Sequence, residues 1–254
     1  MAFAILQKEL VVPDVVRLKR AFSVSPHLRD IDAENAAHDA HGILLRGLDQ
    51  EQADALFAAL LAEGVEIELV KESALPSLQH GKVTKRIFFA RDHFTAYDAM
   101  DRPATVAWAD IVFLAVGYVR TGAQKKHRSA KEEAQLRTAS AAPLDEAHVL
   151  KHGEQEQYHM LLEIFLRGGA THHSIVADEF LFDCLGEKVG SDLALNFVAL
   201  IQEVAARAPH AGLNRGAMKV LRETPELLAY PSRAAFNEEI VWMLWRIARL
   251  TSGA

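Results

Sequence analysis

The chain has 254 residues, 50% of them apolar and 24% charged, which is the composition of an ordinary globular protein long enough to bury a sizeable core in one large domain or two small ones. A formal charge of −6 argues against a protein held mainly by nucleic-acid phosphates or anionic lipid, although a local basic patch survives that argument. The single cysteine, Cys184, excludes an internal disulfide framework and fits a reducing compartment.

The opening MAFAILQKELVVPDVV has no basic residues ahead of its apolar ones, and Gln7, Lys8 and Glu9 interrupt them, so it does not read as a signal peptide. No apolar run approaches the roughly eighteen residues of a membrane span, and a cytoplasmic protein is expected. Phe3 to Leu6 predicts a short strand. A helix begins near Pro13 and Asp14 with Val15, Val16 and Leu18, and Pro26 breaks it. A second short helix is predicted over 30–40, then a strand from Gly42 to Leu48. Asp49 is placed to cap the next helix, and Glu51 adds charge in its first turn. Ala53, Leu56, Phe57, Leu60 and Leu61 form its buried stripe, while Gln50 and Gln52 read as exposed and neutral to stability. Gly64 stops the helix. In the strand that follows, Val65, Ile67 and Leu69 face one way, and Glu66 and Glu68 the other.

The stretch LLRGLDQEQADALFAALLAEGVEIELV resembles the final strand–helix–strand of the C-terminal domain of the bacterial ribosomal stalk protein. That domain also begins with a strand and two helices, and the resemblance covers residues 2–70. It implies a small α/β domain over 1–72. The stalk protein recruits translation factors through small apolar residues and lysines of its helical hairpin. The corresponding DIDAENAAHDA is acidic and has no lysine, so the fold is carried over and the factor-binding surface is not. A related adaptor of the Clp protease uses a similar fold to hold peptides, which implies binding rather than chemistry.

After the linker KESALPSLQHG the period changes. KRIFFARD, HFTAYDAM, TVAWADIVFLAVGYV, YHMLLEIFLRGG and THHSIVADEFLFDCL read as strands separated by turns, with a hairpin at DAMDRP built on Asp101 and Pro103. A helix from about Asp192 to Arg207 buries Leu193, Phe197, Leu200, Ile201 and Val204, and Pro209 ends it. Antiparallel strands followed by one amphipathic helix, with FTAYDAMDRPATVAWADIVFLAV in the middle, resemble a bacterial pleckstrin-homology-like domain over 82–208. Lipid-binding members concentrate Lys and Arg around the first hairpin. Lys82, Lys85, Arg86 and Arg91 are present, but Asp92 and Asp98 sit among them, which favours solvated basic residues on a scaffold.

The strand pattern lapses over 120–153, which is polar, charged and without an apolar stripe. It reads as a long insertion in the β domain. Its basic half, with Arg120, Lys125, Lys126, Arg128, Lys131 and Arg137, offers a phosphate-contacting arm as the alternative to a solvated loop. No aromatic residues are interleaved there for base stacking, which favours the loop.

Twelve histidines raise the question of a metal. His148 and His152 would share one face of a helix, with His159 as a third ligand, although Gly153 weakens that helix. His172 and His173 are adjacent, so in a strand they point to opposite faces. No His-Glu-x-x-His motif or Cys pair is present, and the glycines form no phosphate loop. Asp178 and Glu179 read as exposed at a strand end while Phe180 and Phe182 pack inward. Cys184 reads as a buried thiol in preference to a nucleophile.

The last segment, SRAAFNEEIVWMLWRIARL, predicts a helix capped by Ser232, with Glu238 and Glu239 early and Arg246 and Arg249 late. Phe236, Ile240, Met243, Leu244 and Ile247 make one stripe; Val241, Trp242, Trp245 and Ala248 make a second. A helix apolar over most of its circumference is buried on several sides or docked on a partner. Core packing is favoured over a homodimer contact, with Trp242 and Trp245 as the candidate interaction residues.

These readings give an α+β protein: a stalk-like domain at 1–72, an antiparallel pleckstrin-homology-like β domain at 82–208 and a helical segment at 209–254. The whole resembles a family of bacterial proteins with no assigned activity. Non-catalytic binding or scaffolding is the leading functional class, with an unidentified protein or a second copy as partner and no cofactor. The alternatives are a metal- or thiol-dependent enzyme using His148, His152, His159 or Cys184, and a nucleic-acid- or ribosome-associated factor using the basic 120–137 segment.

Overall fold

The computed structural model describes residues 1–38, 41–121, 157–168, 171–223 and 226–252. Its first strand, β1 (Phe3–Gln7), is buried at every position, because its two faces serve different layers. Phe3 and Ile5 join a core with Leu18, Phe22, Leu56 and Leu60, whereas Ala4 and Leu6 face the C-terminal helix. A strand covered on both sides reads as a continuous apolar run. β1 lies between β2 (Ile43–Leu48) and β3 (Ile67–Lys71), antiparallel to both.

Helices α1 (Val15–Phe22), α2 (Asp30–His38) and α3 (Gln50–Ala62) supply the apolar face that β1 needs. Asp14 caps α1, accepting from the N–H groups of Val16 and Arg17 at 2.8 and 3.0 Å. Asp49 caps α3, and the cap is reciprocal. Gln52 N–H donates to Asp49 Oδ1 at 2.9 Å, and Asp49 N–H donates to Gln52 Oε1 at 3.2 Å. Gln52 is therefore not the neutral surface residue that its sequence position predicts. Gly64 ends the helix at φ 72°. Leu61, assigned to the buried stripe, is exposed.

The next segment builds two sheets. β5 (Arg86–Phe89), β6 (His93–Tyr97) and β7 (Pro103–Ala107) form an antiparallel meander. β8 (Ile111–Thr121), β9 (Gln157–Leu166) and β10 (His172–Val176) form the second, also antiparallel among themselves. This sheet is mixed, which corrects the purely antiparallel expectation. The two-residue strand β4 (Lys82–Val83) runs parallel to β10, and β11 (Gly212–Leu213) and β12 (Ala229–Tyr230) run parallel to β8. They arrive through long connections, as parallel neighbours must, and they cover the open edges of the longer strands.

Two runs read as strands are interrupted. TVAWADIVFLAVGYV is split by a 3-10 turn at Trp108–Asp110, and the indole of Trp108 donates to the Ala90 carbonyl at 3.1 Å. ADEFLFDCL forms 3-10 turns over Ala177–Glu179 and Phe182–Lys188. The burial pattern nonetheless holds: Phe180 and Phe182 are buried, while Asp178 and Glu179 are exposed. Helix α4 (Leu193–Arg207), capped by Asp192, packs Phe197, Leu200, Ile201 and Val204 against Leu114, Val116, Leu162 and Ile164. Leu193, at its first turn, is exposed.

Residues 209–254 are not simply helical. After β11 come the short helix α5 (Arg215–Met218), a π-helical turn over Lys219–Glu223, β12 and the long helix α6 (Arg233–Ser252). Both stripes of α6 are used within the chain. Phe236, Ile240 and Leu244 pack on Phe113, Leu161, Phe165 and Tyr230 of the second sheet. Val241, Trp242 and Trp245 pack on Ala4, Leu6 and Ile43 of the first. Trp242 and Trp245 are only 6% and 5% exposed, so they fasten α6 to the first sheet and are not a surface for a partner. The Trp242 indole donates to the Gln7 carbonyl at 2.8 Å. Its ring also lies over Gly42, at φ +93°, where an added Cβ would sit 2.3 Å from the ring. Each large side chain buried in this way contributes roughly 1.5–3 kcal/mol.

A buried polar network closes the same joint. Glu239 of α6 accepts from the Arg215 backbone N–H at 2.9 Å, from Arg215 Nε and Nη2 at 3.0 and 2.8 Å, and from the Tyr230 hydroxyl at 3.0 Å. Arg215 Nη2 also donates to His41 Nδ1 at 2.8 Å, which puts the proton of a neutral ring on Nε2. Asn214 caps α5 and clamps Val116 of β8, accepting from its N–H at 2.9 Å and donating to its carbonyl at 3.0 Å. Among the described residues no single helix is long and apolar enough to cross a membrane.

Candidate functional site

The face of the second sheet that α6 covers is apolar except for one polar cluster, Glu163, His172 and Ser174. On β9 the pleat sends Leu161, Glu163 and Phe165 toward α6, and Leu162 and Ile164 toward α4. On β10, His172 and Ser174 share the α6 face, while Ile175 packs with the α4 core. α6 does not cover this face completely. Between β9–β10, residues 78–83 and the first turns of α6 lies an open cleft of about 560 Å³.

Glu163 is fully buried beneath the cleft floor. Its Oε1 accepts from Arg233 Nη2 at 2.5 Å and from Ser174 Oγ at 2.9 Å. Its Oε2 lies 3.3 Å from His172 Nε2 but has no hydrogen bond among the described residues. Burial pushes this carboxyl up, and the charge and hydrogen bond of Arg233, with that of Ser174, only partly oppose the rise. His172 stacks on Phe165, with centroids 4.4 Å apart. Burial, then the charge of Arg233, hold its imidazole down at about 4, so it is neutral at pH 7. The linker closes over it at Gly81, where a Cβ would come within 2.6 Å of His172 Nε2.

His159 is brought into this cleft, where its Nδ1 pairs with Asp178 Oδ2 at 3.0 Å. The other proposed ligands, His148 and His152, lie outside the described residues, as do Lys125, Lys126 and Arg128 of the basic arm. Among the described residues no three His, Cys, Asp or Glu side chains are grouped to hold a metal ion. Cys184 packs against the α4 core, and burial pushes its thiol up to about 11, so it is protonated at neutral pH. Two of the four basic residues named for the first hairpin, and Arg102 beside them, are in ion pairs. Lys85 pairs with Glu179, Arg86 with Asp101 at 2.8 Å, and Arg102 with Asp98 at 2.6 Å. His173 faces away from the cleft, as adjacent strand residues must, and shares a hydrogen bond with Thr84 at 3.0 Å.

Compared with family models, curated proteins and solved structures, the chain matches none. The site therefore rests on its own residues. Glu163, Arg233 and Ser174 were not singled out in the sequence. One signal was present: Glu163 is the sole charge in the apolar run MLLEIFL. A lone carboxylate in a strand buried on both sides requires a buried partner. Arg233 is 70 residues away, directly after a helix cap, where an arginine reads as surface.

Proposed function

We propose that the chain is a non-catalytic binding protein and that the cleft between β9–β10 and α6 is its ligand site. The observation that carries this reading is Arg233, held by the fully buried Glu163 at 2.5 Å yet with a side chain 39% exposed on the cleft. A cation anchored from below and open above suits recognition. The cleft volume, about 560 Å³, falls within the range of small-molecule sites. Two further features favour binding over chemistry. An imidazole held at about 4 is a weak general base at neutral pH, and a thiol at about 11 is a weak nucleophile. The strand–helix–helix–strand–helix–strand order of residues 3–71, and the strands capped by α4, support the resemblance to stalk-like and pleckstrin-homology-like interaction modules. Fold likeness alone assigns no ligand.

The test is a panel of small organic acids, amines and neutral compounds, followed by thermal denaturation of the full chain and by mass spectrometry of each compound. At least one chemical class should raise Tm and be recovered unchanged. If no class stabilises the protein, the cleft is not a ligand site. A product of altered mass that His172→Asn abolishes would make the protein an enzyme.

A further inference from the structure

We infer that the cleft takes a small monocarboxylate with an apolar body; this rests on the cleft being the ligand site. The head group is set by Arg233. Its Nη2 is fixed on Glu163, and among the described residues Nε and Nη1 have no hydrogen-bond partner. A guanidinium held at one corner keeps a planar fork of donors that matches a carboxylate, and less side-chain entropy is lost when it binds. Among the described residues Arg233 and Glu179 are the Arg, Lys, Asp and Glu side chains that line the cleft, and Glu179 is paired with Lys85. Asp178, at the rim, is committed to His159. Among the described residues a cationic ligand would thus meet an anchored cation, while the carboxylates of Glu179 and Asp178 are each already paired.

The body of the ligand is set by α6. Arg233, Asn237 and Ile240 follow at helical spacing and all line the cleft. They offer charged donor, amide and aliphatic surface in that order over about 10 Å, the rise of seven helical residues. Leu161, Phe165 and Val176 continue the apolar surface on the strands opposite. A polar head at Arg233 therefore leaves an apolar chain lying along Ile240.

Hexanoate, hexylammonium and 1-hexanol share one body and differ in the head, so titrating each into the full chain by calorimetry separates charge from apolar burial. Hexanoate should bind at least tenfold more tightly than either of the others. Arg233→Gln strips Glu163 of its counter-charge and endangers the fold, so the decisive variant is Arg233→Lys, which keeps that charge and loses the fork. With circular dichroism unchanged, Arg233→Lys should weaken hexanoate about tenfold, and Asn237→Ala should weaken it several-fold. Equal binding of the three probes, or hexanoate binding untouched by both variants, overturns the inference. If hexanoate fails while another class in the panel stabilises the protein, the carboxylate assignment falls and the cleft remains a ligand site. If nothing binds, both fall.

Discussion

Replacing Glu239 by glutamine tests the buried joint directly. The change keeps the shape of the side chain and removes its charge. Four donors converge on this carboxylate: the Arg215 backbone N–H, Arg215 Nε and Nη2, and the Tyr230 hydroxyl. An amide nitrogen at either oxygen position faces at least one donor and leaves it unpaired, and the Arg215 charge loses its counter-ion. Burial alone would raise the Glu239 carboxyl. The neighbouring His41 ring, 3.7 Å away, and the hydrogen bonds and charge of Arg215 more than offset this and hold it at about 2. A fall from the ordinary 4.5 to about 2 corresponds to about 3 kcal/mol of stability at neutral pH. Breaking one side of a buried ion pair costs a similar 3–5 kcal/mol or so. Because the folded-state value is depressed, this stability is fully present above about 4.5 and is lost as pH falls toward about 2. Urea denaturation of the parent and Glu239→Gln should therefore differ by about 3 kcal/mol at pH 7, and the gap should close between pH 5 and pH 2. A gap under about 1 kcal/mol at pH 7, or one that does not change down to pH 2.5, would refute the reasoning.

In α3, Leu60→Ala should cost about 2–5 kcal/mol by leaving a cavity, and Gly64→Val should also destabilise, since φ is 72° there. Gln52→Ala should cost about 0.5–1 kcal/mol through the capping box, against at most about half a kcal/mol for Gln50→Ala, whose amide meets Asp54 in an exposed pair at 2.9 Å. Urea titration of the four variants ranks them, and silent Leu60 and Gly64 variants would contradict the packing. Trp242→Ala should cost about 3–5 kcal/mol and make residues 3–71 more susceptible to limited proteolysis, because its ring fastens α6 to the first sheet. Unchanged stability would mean that the two sheets do not depend on α6. Cys184 should react with iodoacetamide at pH 8 at least tenfold more slowly in the folded protein than in urea, and equal rates would contradict its partial burial and raised thiol.

What the sequence alone determined is whatever a residue decides with its near neighbours. Asp14, Asp49 and Asp192 each cap a helix by accepting from N–H groups two or three residues on. The alternation His172/His173 separates the two rings to opposite faces whatever lies there. The circumferential apolar pattern of α6 required burial on more than one side, and it is buried on two. The tertiary structure decided the partners. Glu163 meets Arg233 70 positions away, and Arg215 meets His41 across 174. Neither pair has a common period or local spacing, so each side chain reads as an isolated charge until the strands and α6 share a volume. The edge strands β4, β11 and β12 are two residues each, too short for an alternation to register, and they pair because longer strands leave backbone groups open beside them. Periodicity encodes which face of an element is buried; what covers that face depends on which distant segments the chain brings to it.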